Sequence, residues 1–266
     1  VLNDSKTVEN QTYGDEINSN DEVIDIKGYN YDSVTPETLT IDVEGNVINV
    51  YYTKKTDLSY TVNYLEKDTN KVLSNSKTVE NQTYGTNINS NDEVIDIKGY
   101  NYDSVTPETL IIDVEGNVIN VYYTKKNDLS YTVNYLEKDT NKVLSNSKTV
   151  ENQTYGAEIN SNDEVIEIKG YNYDSVTPET LTIDVEGNVI NVYYTKRTDL
   201  SYTVNYLEKD TNKVLSESKT VENQTYGDEI NSSDEIIDIK GYNYDSVTPE
   251  TLTIDVEGNV INVYYT

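Results

Sequence analysis

The sequence predicts a mainly β protein, α+β at most, built as a tandem array of small domains. Three observations lead there. The chain repeats every 71 residues: Gly14, Gly85, Gly156 and Gly227 recur at that interval, as do the only four prolines, Pro36, Pro107, Pro178 and Pro249. Within a period, apolar residues alternate with polar ones, and no segment sustains a helical period. The large apolar residues are limited to Val, Ile, Leu and Tyr, because Phe, Trp, Met and Cys are absent.

The 266 residues hold about 3.75 periods, so this is an array and not one large domain. A unit of 71 residues can close a small core, with only marginal stability. It is longer than the repeats of roughly 20–50 residues that must stack in order to fold. A frame that opens each unit with the strand at Tyr60 gives residues 57–126, 128–197 and 199–266 as complete repeats and residues 1–55 as a repeat lacking its first strand. A frame that opens near Val1 instead has Tyr60–Lys71 completing the preceding unit and interlocking successive domains. Val1-Leu2 corresponds to Val72-Leu73, so nothing equivalent to Tyr60–Lys71 precedes it, and the chain reads as a piece of something longer. Between residues 72–142 and 143–213 only six positions differ, which points to recent duplication.

Each element has its own signal. Tyr60, Val62 and Tyr64 alternate with Thr61 and Asn63, the pattern of a half-buried strand. The loop Glu66–Lys71 follows, with Asn70 suited to a left-handed turn position, and Val72–Val79 reads as the return strand. In Thr12–Asn18, Thr12 is placed to cap a single helical turn, with Asp15 and Glu16 near its positive end. Ile24, Ile26, Tyr29 and Tyr31 suggest a strand around Gly28. Leu39–Tyr52 reads as a hairpin with Gly45-Asn46 as its turn, pairing Val43 with Ile48, Ile41 with Val50 and Leu39 with Tyr52. Pro36 suits a loop or sheet edge.

There are 26 tyrosines, seven in each complete repeat, so the core must use them. A tyrosine hydroxyl needs water or a partner, which favours sheet margins with the ring packed and the oxygen wet. The alternative is a row of exposed rings that binds sugar or protein. Tyr51, Tyr122, Tyr193 and Tyr264, on the polar face of the expected hairpin, are its candidate members.

Composition excludes several classes of function. With 48 acidic and 20 basic residues, the net charge of −28 argues against nucleic acid or an anionic membrane as partner. Absence of His and Cys removes the commonest acid–base and nucleophilic arrangements, so neither an enzyme nor a cofactor is expected. Asn20-Asp21-Glu22 with Asp25 has the oxygens for calcium, but matches no EF-hand loop and reads as solvated acidic surface, so no metal is expected. No apolar run approaches membrane-spanning length. Abundant Asn, Lys, Ile, Tyr, Asp and Glu fit AT-rich codons and a low-GC bacterium.

The string VNYLEKDTNKVLSNSKTVENQTYG, followed by IKGYNYDSV and closed by VINVYYTK, resembles the mucin-binding-protein (MucBP) repeat of Gram-positive surface adhesins. The resemblance covers each complete repeat. Where that family commonly has Gly in its first acidic turn, this chain has Asn70, Asn141 and Asn212, which tolerate the same left-handed backbone. It implies small β-grasp (ubiquitin-like) domains, joined by short linkers into an elongated rod on an extracellular protein anchored to the cell wall outside this segment. The implied role is a stalk projecting a distal binding domain. The alternative is a multivalent adhesin module for mucin-type glycans or a host glycoprotein. Expected contacts are neighbouring repeats and, at the truncated first repeat, an edge strand from another molecule.

Overall fold

In a computed structural model describing residues 1–266, the chain divides into two units, Val1–Lys126 and Asn127–Thr266. Strands make up 52% of the chain and α-helix none, so the mainly β expectation holds and α+β falls away.

The first unit contains strands β1 (Glu16–Asn18), β2 (Tyr29–Thr35), β3 (Thr38–Thr40), β4 (Asn49–Lys54), β5 (Leu58–Glu66), β6 (Val72–Gln82), β7 (Asn87–Asn89), β8 (Tyr100–Thr106), β9 (Thr109–Ile111) and β10 (Val118–Lys125). Its complete repeat is a four-stranded sheet of order β6-β5-β10-β8 beside a two-stranded β7-β9 ladder. β5 alternates as expected, with Tyr60, Val62 and Tyr64 buried. Asn70 adopts φ 55°, and its N–H donates to the Glu66 carbonyl at 2.9 Å, which turns the chain into β6. The central pair, β5 and β10, are the first and last strands of the repeat and run parallel. Such a pairing needs a long crossover, supplied here by β6 to β9.

Val62, Ile119 and Val121 are fully buried at the centre, ringed by Tyr60, Tyr64, Leu110, Ile112 and Tyr123. Each such side chain contributes about 1.5–3 kcal/mol on leaving water. Residues 1–55 form only the β1-β3 and β2-β4 pairs.

The second unit contains β11 (Leu129–Glu137), β12 (Val143–Gln153), β13 (Glu158–Asn160), β14 (Tyr171–Thr177), β15 (Thr180–Thr182), β16 (Val189–Lys196), β17 (Leu200–Glu208), β18 (Val214–Gln224), β19 (Glu229–Asn231), β20 (Tyr244–Thr248), β21 (Thr251–Thr253) and β22 (Val260–Tyr265). It repeats the same sheet twice, as β12-β11-β16-β14 and β18-β17-β22-β20, each over its own core.

Three local expectations are corrected. Leu39–Tyr52 is not a hairpin: β3 pairs with β1, and β4 pairs with β2. The Asn46 side chain accepts the Asp42 N–H at 2.8 Å and donates to the Asp42 carbonyl at 2.5 Å, so the 42–46 segment closes on itself. In the complete repeat, Asn117 also donates to the Ser59 carbonyl at 3.0 Å, tying that loop to the start of β5. The single helical turn lies not at Thr12 but over Ser19–Glu22, as a 3-10 turn capped by the Asn18 side chain. Finally, the strand expected around Gly28 starts only at Tyr29, because Gly28 holds φ +80° and Ile24 and Ile26 lie in the connection ahead of it.

Candidate functional site

The solvent face of each complete sheet is built by the residues that alternate with the core. In β5 these are Thr61, Asn63 and Leu65, and in β10 they are Asn120, Tyr122 and Thr124. Asn63 donates its amide to Asn120 Oδ1 at 2.9 Å and accepts the Ser76 hydroxyl at 3.0 Å, a polar row spanning three strands. The same row recurs as Ser147-Asn134-Asn191 and Ser218-Asn205-Asn262. Next to it, Tyr122 lies between Leu65 and Ser104 in the strand register. Tyr122, Tyr193 and Tyr264 are half-buried there, and Tyr51, which has no β5 counterpart beside it, is exposed. The candidate tyrosines thus recur once per repeat on the solvent face, with amides and hydroxyls around them.

The inner face carries a second constellation that the sequence reading missed. Tyr60 donates its hydroxyl to Glu93 Oε1 at 2.8 Å, and Lys77 pairs with Glu93 Oε2 at 2.6 Å. Tyr131-Glu164-Lys148 and Tyr202-Glu235-Lys219 repeat it. Burial works against the charge on Glu93, but hydrogen bonds from Lys77 and Tyr60 outweigh it and hold the carboxyl below its usual range. Burial and the Glu93 carboxylate push the Tyr60 hydroxyl up to about 12. A signal was available: Lys77 falls opposite Val62 in the hairpin register, so a charge on an edge strand points inward. Its partner stands 16 residues away in an acid-rich chain and could not be singled out.

The core tyrosines correct the expectation of wet hydroxyls at sheet margins. Tyr123 is fully buried, and its hydroxyl donates to the Ile95 carbonyl at 2.8 Å and accepts the Ile95 N–H at 3.1 Å. The acidic run stays at the surface except for its Glu. Asn91 accepts from the Tyr102 hydroxyl, Asp92 accepts from Asn89, and Glu93 faces the core.

Neither a family model nor a curated protein matches the chain. Among solved structures it is similar to the pilus adhesin SpaC from Lactobacillus rhamnosus GG in an open conformation, at 10% identity and a TM-score of 0.17 over 85% of this chain. The chain spans 46% of that adhesin, about half its length, and the likeness is too slight to carry an argument.

Proposed function

We propose that the chain is the stalk of a bacterial cell-surface adhesin, with each repeat a β-grasp-like domain related to MucBP repeats. The observation that carries the reading is that each complete repeat closes its own core, with nine buried residues, and passes to the next through a short linker. Lys54 to Leu58 and Lys196 to Leu200 leave three residues between strands. Such an array adds length with every copy. The motif strings and the parallel pairing of first and last strands at the sheet centre support the β-grasp reading. Small-angle scattering tests the stalk. The expected maximum dimension grows by on the order of 35–50 Å per repeat, and a compact particle overturns it.

A second reading, a multivalent binder of mucin-type glycans or host glycoprotein, is favoured by the recurring tyrosine and asparagine row. Weak sites in tandem gain avidity. The chain carrying Tyr51→Ala, Tyr122→Ala, Tyr193→Ala and Tyr264→Ala then loses mucin retention that the unaltered chain shows. Equal or absent retention leaves the spacer.

A further inference from the structure

Every copy carries a Tyr-Gly turn after its return strand, and the turn is fastened within its own repeat. Gly85 N–H donates to the Ile112 carbonyl at 2.8 Å, and Thr86 N–H to the Thr83 carbonyl at 3.1 Å. The tyrosine of this turn, Tyr84, is by contrast spent on the preceding repeat. Tyr84 meets Tyr29 edge to face, with centroids 5.7 Å apart at 67°. Its ring lies over Gly28, where an added Cβ would stand 2.4 Å from ring carbons. Its N–H donates to the Lys55 carbonyl at 2.9 Å. Beside it, Lys27 pairs with Asp113 at 2.6 Å.

The second unit builds the same contact from different atoms in the chain. Tyr226 meets Tyr171 at 5.7 Å and 67°, and covers Gly170 at the same 2.4 Å. It donates to the Arg197 carbonyl at 2.9 Å, and Lys169 pairs with Asp255 at 2.7 Å. Lys55 and Arg197 differ in side chain, yet each is used here through its carbonyl, so the variation between copies spares the contact. The unmatched halves are also present. Nothing lies within 4 Å of a Cβ at Gly241, and Tyr13 is 75% exposed.

We infer that the Lys-Gly-Tyr segment, with the carbonyl at the end of the last strand, is a recognition surface whose partner is the Tyr-Gly turn of a following copy of the repeat. Glycine is required at its centre on two counts. Any side chain would occupy the place of the ring, and φ +80° is a conformation that L residues rarely adopt. Within each unit the two repeats joined this way are therefore docked and not only tethered, with the ring and the Lys-Asp clamp setting their angle. The inference stands apart from the stalk reading, since a docked pair can serve a spacer or a binder equally.

The full chain has no cysteine, so cysteines placed at the exposed Lys142 and Lys213, equivalent positions of adjacent repeats in the second unit, can carry spin labels. Double electron–electron resonance is expected to give one narrow distance distribution. Tyr226→Ala broadens it and speeds hydrogen exchange at the residue-226 amide about tenfold, whereas Tyr226→Phe leaves both unchanged. Lys169→Glu, at a site that is 61% exposed and needed for no core, also broadens the distribution. Tyr13→Ala leaves it as it was. A distribution already broad in the unaltered chain, or one that stays narrow in both Tyr226→Ala and Lys169→Glu, overturns the inference.

Discussion

Residues 1–55 and their counterparts in the second copy are nearly the same sequence with and without the β5-β6 hairpin, and their differences separate local from global forces. Local hydrogen bonding is shared. Tyr52 holds the Ile24 N–H and carbonyl at 3.0 and 2.8 Å, as Tyr123 holds those of Ile95 at 3.1 and 2.8 Å. The β1-β3 pairing matches β7-β9, and β2-β4 follows β8-β10 through the same register shift. Burial of the apolar residues at the sheet centre is not shared. Tyr123 and Ile112 are 1% exposed, while Tyr52 and Ile41 remain partly open. Backbone pairing is thus written into the 16–54 segment itself, and the hairpin adds the apolar stabilisation.

The comparison can be broken first at the core. Ile119→Ala is expected to destabilise its repeat by about 2–5 kcal/mol. Ile48→Ala, at the same place in the first copy, costs far less because Ile48 is already partly exposed. Hydrogen exchange resolved by repeat reads both, and equal losses would mean that the hairpin is not what buries this position.

Tyr123→Phe comes next, removing two part-buried hydrogen bonds to the Ile95 backbone at a cost of about 0.5–1.5 kcal/mol each. Tyr52→Phe, where water can reach, gives a smaller loss in the same denaturation experiment. If the two losses agree, the shared hydrogen bonds rather than burial set the energetics.

The pH dependence sharpens the contrast further. The carboxyl of Glu93 is depressed when folded, so its contribution is present above the ordinary value of 4.5 and is lost as pH falls through the lower folded value. Tyr60 is raised to about 12 when folded. Its contribution is present below the ordinary value of 10.0 and disappears as pH rises towards 12. Glu93→Gln, Glu164→Gln and Glu235→Gln together should flatten the acid limb while lowering stability at neutral pH. An unchanged acid limb in thermal unfolding would remove the triad from the explanation.

The smallest expected effect has the opposite sign. Ser19, Ser90, Ser161 and Ser232 are fully buried with no partner for their hydroxyls. Each Ser→Ala change should stabilise by up to about 1 kcal/mol. Because Ser19 is as buried as Ser90, the gain should be equal in the first and second copies, unlike every other contrast here.

The β5-β6 hairpin and its Asn70 turn were legible because both rest on neighbours in sequence. Alternation selects the buried face, and Asn tolerates the left-handed backbone. The expected 39–52 hairpin failed because its alternation is equally well satisfied by partners far away in sequence. Ile119 finds Val62 in a parallel register, and nothing local announces that. Asn117 illustrates the same point, since a residue that suits a two-residue turn instead spends its amide on Asp113 and Ser59. At the candidate face, alternation was enough to set Tyr122 and its equivalents on the polar side. Their position between Leu65 and Ser104 required the sheet order. The Tyr60-Glu93-Lys77 triad stayed hidden because its members come from three separate elements.

The parallel pairing of β5 with β10 has a mechanical consequence. Tension applied along the chain enters a repeat at the start of β5 and leaves at the end of β10. In a parallel pair these two points lie at opposite ends, so the load slides one strand along the other. Hydrogen bonds from Thr61 to Glu66 are then strained together instead of opening one by one. A repeat joined this way resists extension by shear, and the core residues Val62 and Val121 sit on the two strands that would have to slip.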